Sequence, residues 1–107
     1  MTDSVWIDVA PEGSLASGEH IAVDINGAAV AVFRTGDHYY AVENICTHDR
    51  SEITGHCTVD GYELVCMRHG GRFCLQSGKA LRGPVYEDIA VFPVRVEQGV
   101  IQVREAD

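Results

Sequence analysis

The pair Asn26-Gly27, set directly between two apolar runs, constrains the fold of this chain more than any other feature. Both residues tolerate positive φ, which a two-residue turn between antiparallel strands demands, and the pair is the strongest short-range hairpin signal. The flanking runs suit strands. Ile21, Val23 and Ile25 alternate onto one face, and residues 28–34 follow the turn. The same rhythm recurs along the chain. Gly36-Asp37 leads into residues 38–43, Asp60-Gly61 into residues 62–66, and Ser77-Gly78 follows residues 72–75. Gln98-Gly99 separates Val94 and Val96 from Ile101 and Val103. Residues 5–8 read as a first strand, and residues 11–20 as a turn-rich loop with room for one helical turn within 11–17. No long window carries a helical period. The expectation is an all-β fold of antiparallel sheets.

From about residue 44 to residue 83 the alternation fades, and Cys, His and Gly concentrate. This stretch reads as a small cluster-binding insert in a β base built by both ends of the chain. At 107 residues the chain suits one domain, residues 1–107. Eight basic against sixteen acidic residues give a net charge of −8, which argues against nucleic acid and anionic membranes as partners. Met1 is followed by neither a basic start nor a long apolar run, and no stretch reaches transmembrane length. A cytoplasmic location is therefore expected. In that compartment the four cysteines stay reduced, which makes metal binding the leading use for some of them.

Two motifs carry the chemistry: Cys46-Thr47-His48 and Cys66-Met67-Arg68-His69. Each supplies one thiolate and one imidazole from its own loop. Three readings compete. A Cys₂His₂ zinc site uses the same ligand types, but zinc spacing usually pairs Cys with Cys and His with His. The plainest reading is two structural cysteines and two ordinary histidines. The mixed spacing, C-x-H and C-x-x-H, fits a [2Fe–2S] centre with two Cys on one iron and two His on the other.

On these motifs the chain resembles the Rieske ferredoxin family, in particular the ferredoxin components of multicomponent bacterial aromatic-ring dioxygenases. Gly70-Gly71-Arg72-Phe73, Gly78-Lys79 and Gly83-Pro84 before a Val-rich C-terminal stretch add to the resemblance, which spans essentially the whole chain. It implies a Rieske-like fold and one Rieske-type [2Fe–2S] cluster held by Cys46, His48, Cys66 and His69. Both histidines would lie near the surface, giving electrons a short way out.

The resemblance also implies a role. The chain would be a one-electron carrier and not itself an enzyme. It would take electrons from a ferredoxin reductase, a flavoprotein using NADH or NADPH, and deliver them to a terminal Rieske non-haem iron oxygenase of aromatic hydrocarbon catabolism. The alternative is a Rieske subunit or redox-sensing protein of another oxidoreductase system. A zinc-binding interaction module is third. An oxygenase catalytic subunit would need a second, larger domain with a mononuclear iron site, for which the chain ends too soon.

Two neutral imidazoles in place of two thiolates leave the cluster core less negative, so Rieske centres accept electrons more readily than all-Cys ones. High-potential relatives add a disulfide between the ligand loops and hydroxyl donors to the cluster sulfurs. At the corresponding places this chain has Ser51, Arg68, Gly71 and Phe73. Lacking those devices, it is expected at the low end of the Rieske range, near about −150 mV.

The remaining candidates read as structural. Cys74 is expected in the core and Cys57 as a structural or exposed thiol, with a third-ligand role or a Cys57–Cys74 disulfide left open. His20 and His38 are expected at the surface, and His56 as a non-ligand. Thr47, Met67, Arg68 and Gly70 would line or shield the cluster, their N–H groups available to sulfur. Arg68 would alternatively pair with an acid. Gly83-Pro84 would form a covering loop or an ordinary turn. Asp49 and Glu52 suit docking charges better than a catalytic pair.

Overall fold

The structure is a computed structural model, and it describes residues 5–45, 52–55, 57–67, 70–83 and 87–105. These residues form eleven strands and one 3₁₀ turn. The strands are β1 Ile7–Pro11, β2 His20–Ile25, β3 Ala28–Thr35, β4 His38–Glu43, β5 Cys57–Asp60, β6 Glu63–Cys66, β7 Arg72–Cys74, β8 Ala80–Arg82, β9 Val91–Phe92, β10 Val94–Glu97 and β11 Val100–Val103. The 3₁₀ turn is Ile53–Gly55. All ladders are antiparallel, in three sheets ordered β1-β11-β10, β2-β3-β4-β9 and β5-β6-β7-β8.

Turn chemistry sets the registers. Asn26 and Gly27 both adopt positive φ, 53° and 93°, and join β2 to β3 with Ile25 opposite Ala28. Gln98 and Gly99 repeat this between β10 and β11, with φ of 50° and 78°. Turns in which both central residues have positive φ match the twist of the strands they connect. The first strand starts later and runs longer than the sequence suggests. It carries an irregularity between Asp8 and Ala10 that keeps its pairing with β11 in step. Residues 12–19 contain turns but no helix.

The middle sheet is buried on both faces at β3 and β4. Ala31, Phe33 and Val42 join one core cluster, with Leu64, Cys66 and Phe73 of the third sheet. Val30, Val32 and Ala41 join another, with Ile101 and Val103 of the first sheet. This explains the unbroken apolar stretch of β3: a strand covered on both sides has no solvent face to alternate with. The third sheet is a meander within Cys57–Arg82. Cys57, Val59, Leu64, Cys66 and Phe73 face the core, while Asp60, Glu63, Arg72 and Cys74 face outward. No helix among the described residues is long and apolar enough to cross a membrane.

Candidate metal centre

Of the four expected ligands, Cys66 is described. Cys46, His48 and His69 lie outside the described residues, as do Thr47, Asp49, Ser51, His56, Arg68 and Pro84. Among the described residues no three His, Cys, Asp or Glu side chains converge on one point. What the structure shows is how the fold presents Cys66 and anchors the chain around both motifs.

Cys66 ends β6 and is 1% exposed. Its N–H donates to the Gly71 carbonyl at 2.8 Å, and its carbonyl accepts from the Gly70 N–H at 2.7 Å. These two bonds tie both backbone groups of Cys66 to Gly70 and Gly71, beyond the rest of the motif. They also use the Gly70 N–H on the backbone, so that group is not available to a cluster sulfur. Met67, expected to shield the cluster, is 66% exposed.

The chain enters the first motif pinned on both edges. Glu43 N–H donates to the Ala90 carbonyl at 2.8 Å, and Asn44 N–H to the Ala29 carbonyl at 2.9 Å. Asn44 is the one buried polar residue among the described residues, 2% exposed. Its Oδ1 accepts from the Thr54 N–H at 3.0 Å, and its Nδ2 donates to Thr54 Oγ1 at 3.1 Å. The clamp therefore ties the residue two places before Cys46 to the 3₁₀ turn beyond the motif. An Asn after a strand reads as a turn former, so sequence alone gave no reason to single it out.

A third anchor lies at Gly78. Ile89 N–H donates to the Gly78 carbonyl at 2.7 Å, and the Ala80 N–H donates to Asp88 Oδ1 at 2.9 Å. The approach is so close that a Cβ on Gly78 would lie 2.0 Å from the Ile89 carbonyl oxygen. These contacts fix the chain on either side of Gly83-Pro84.

Of the other cysteines, Cys57 fits the structural reading and Cys74 departs from the core position expected for it. Cys57 is buried, 8% exposed, and stands opposite Cys66. Cys74 is only half-buried and belongs to neither core cluster. It stands opposite Glu63, so its side chain points to the outer face, away from Cys57. The pairing of Cys57 with Cys74 that the sequence left open is not compatible with this register. Hydrogen bonds from the Ser77 side chain and backbone hold the Cys74 thiol below its usual pKa. On the same outer face Arg72 meets Glu63 at 2.8 Å and Asp60 at 3.2 Å, and these hydrogen bonds raise the guanidinium above its usual range. His38 is exposed as expected, whereas His20 is half-buried with its ring 5.3 Å from that of Phe33. Glu52 is exposed.

A buried cysteine at the end of a hairpin strand, followed at the third residue by a histidine, fits one half of a mixed Cys/His iron–sulfur donor set. The family model for the Rieske [2Fe-2S] domain matches residues 5–93, and the chain belongs to that family. Its relatives narrow the class. The ferredoxin component of the naphthalene 1,2-dioxygenase/salicylate 5-hydroxylase systems of Ralstonia sp is 35% identical over 92 residues, 86% of this chain and 88% of the relative. The ferredoxin of carbazole 1,9a-dioxygenase from Nocardioides aromaticivorans IC177 superposes with a TM-score of 0.85 at 29% identity, covering 92% of this chain and 95% of that one. A chain from a complex of reduced oxygenase and oxidized ferredoxin in carbazole 1,9a-dioxygenase gives a TM-score of 0.83 at 32% identity, covering 91% and 99%.

Proposed function

We propose that this chain is a cytoplasmic, low-potential one-electron carrier, not itself an enzyme. It takes electrons from a flavin-dependent reductase oxidising NADH or NADPH and delivers them to the terminal oxygenase of an aromatic-ring dioxygenase system. The observation that carries this reading is the near end-to-end match with chains that are themselves ferredoxin components. In this reading residues 1–107 are one domain, with residues 44–83 as the cluster-binding part, and the ligands are Cys46, His48, Cys66 and His69.

When bound, the [2Fe–2S] cluster supplies a couple that takes up and releases one electron. The chain's own residues do the rest. Cys66 is presented from a strand end whose backbone is already bonded, so little ordering accompanies ligation. The Asn44–Thr54 clamp ties together the chain on either side of the Cys46/His48 motif. Phe73 and Gly71 carry no hydroxyl, so neither side chain can donate to sulfur and favour the reduced state; this supports a potential near about −150 mV. The acidic surface suits a basic partner face, and transfer should slow as ionic strength rises.

The test is iron and acid-labile sulfide content of the anaerobically purified protein, with an EPR spectrum after dithionite reduction and a redox titration. A Rieske spectrum is expected, lost in Cys66→Ala, His48→Ala and His69→Ala and kept in His56→Ala. A colourless, zinc-loaded product would overturn the reading, and a potential well above zero would overturn the low-potential part of it.

A further inference from the structure

The two buried cysteines of the third sheet are cross-strand neighbours. Cys57 pairs with Cys66 in the β5–β6 ladder. Both Cys66 backbone groups are bonded on the opposite side, to Gly70 and Gly71. The two-residue turn Gly61-Tyr62 makes Asp60 and Glu63 a hydrogen-bonded pair, and alternation along the ladder then makes Cys57 and Cys66 a non-hydrogen-bonded pair. In such pairs the Cα atoms stand about 4.5 Å apart and the side chains approach most closely. That separation lies within the range a disulfide bridges, about 4.4–6.8 Å between Cα atoms. Both side chains point into one core cluster, and both residues are thiols in the structure. Cys74 cannot compete, because it lies on the outer face opposite Glu63.

We propose that Cys57 and Cys66 form an oxidation-sensitive pair: when Cys66 is not holding iron, peroxide closes them into a cross-strand disulfide that bars cluster assembly. The inference rests on Cys66 being a cluster ligand. Cys57, 8% exposed against 1% for Cys66, is the entry point for an oxidant of water-like size. Its thiolate attacks hydrogen peroxide, an S–O bond forms as the O–O bond breaks, and the departing hydroxide takes up a proton as water. The Cys66 sulfur then attacks the sulfenic acid sulfur. The S–S bond forms, the S–O bond breaks, and a second water leaves. Two thiols lose two electrons and two protons, and one peroxide becomes two waters. Cys66 is then spent as a ligand until a dithiol reductant restores it. In the loaded protein its sulfur is held by iron, so only the cluster-free chain is trapped. The pair thus records cluster loss under oxidising conditions and makes rebuilding conditional on reductant.

The experiment uses the full chain, purified with its cluster. One portion is kept intact. The other is stripped of iron by a chelator without oxygen, and both receive one equivalent of hydrogen peroxide. Intact mass and a non-reducing peptide map are read before ferrous iron and sulfide are added back. In the stripped portion the expected result is loss of two hydrogens, a peptide joining Cys57 to Cys66, and no return of visible absorption until dithiothreitol is supplied. Cys57→Ser should form no such link and should rebuild after the same dose plus a mild sulfenic-acid reductant. A Cys46–Cys66 link, or a stripped chain that rebuilds fully without dithiothreitol, would overturn the proposal. A Cys57–Cys66 link in the intact portion, with its absorption retained, would instead show that Cys66 is not a ligand. The map of the natural chain decides even where the variant does not fold.

Discussion

Replacing Asn44 by Ala removes both side-chain bonds of the clamp while leaving the backbone bond to Ala29 in place. The Thr54 N–H then loses its acceptor. A stranded backbone donor costs about 1–3 kcal/mol when fully buried, and Thr54 is half-buried, so the lower half of that range applies. The Thr54 hydroxyl can turn to water, which adds about 0.5 kcal/mol for the lost bond. The sum, about 2 kcal/mol, corresponds to roughly a 30-fold rise in local opening. Hydrogen–deuterium exchange by mass spectrometry on the cluster-loaded protein reads this directly in the peptide spanning Thr54. Exchange there should quicken about 30-fold, with β11 peptides unchanged. Asn44→Asp keeps the acceptor and should fall between. The same two variants should release iron to a chelator in the same order. A Thr54 peptide that exchanges at the natural rate in Asn44→Ala would refute the claim that the clamp holds Thr54 in place.

Gly78→Ala should destabilise by more than about 3 kcal/mol, because it combines a φ of +77° with a Cβ 2.0 Å from the Ile89 carbonyl oxygen. Gly13→Ala, at φ +89° with nothing near its Cβ, should cost only about 1 kcal/mol, and thermal unfolding midpoints compare the two. The Cys74 thiol, held below its usual pKa by Ser77, should alkylate with iodoacetamide at a lower pH than a model thiol, and Ser77→Ala should move that profile upward. The sign for stability follows from the lowered pKa. The Cys74 contribution is full above the unfolded-state value and is lost as pH falls through the folded one, so between the two the Ser77→Ala variant should gain less stability with rising pH than the natural chain.

The sequence revealed what local chemistry dictates. Asn26-Gly27 and Gln98-Gly99 stand where two residues of positive φ are needed, and no distant contact could change that. The alternation of Ile21, Val23 and Ile25 survives because β2 keeps a solvent face. Non-local contacts were out of reach. Val91–Phe92 is too short to read as a strand and exists because Ala41 and Val42 pair with it. The strand at Cys57–Asp60 was hidden among Cys, His and Gly, and its partner defines it. Asn44 matters through Thr54, ten residues away. The mixed C-x-H and C-x-x-H spacing favoured an iron–sulfur donor set over the usual zinc-finger pairing, and three of its four residues lie outside the described ones. That Cys57 lies beside Cys66, and Cys74 does not, depends on strand register, and composition says nothing about register.

The sheet that joins the two ends of the chain has a consequence for how the molecule is made. Ile7 pairs with Val103, and Pro11 with Val100, so the first strand waits until residues 100–103 have been synthesised. The meander of β5 to β8 needs no such wait, because each of its strands pairs with a sequence neighbour. Short loops close quickly and long ones slowly, which orders assembly. On the ribosome the Cys66 hairpin can be complete while β1 is still an unpaired edge. The β5–β8 meander can then be paired on a chain whose base is still open, and closure of β1 on β11 follows it.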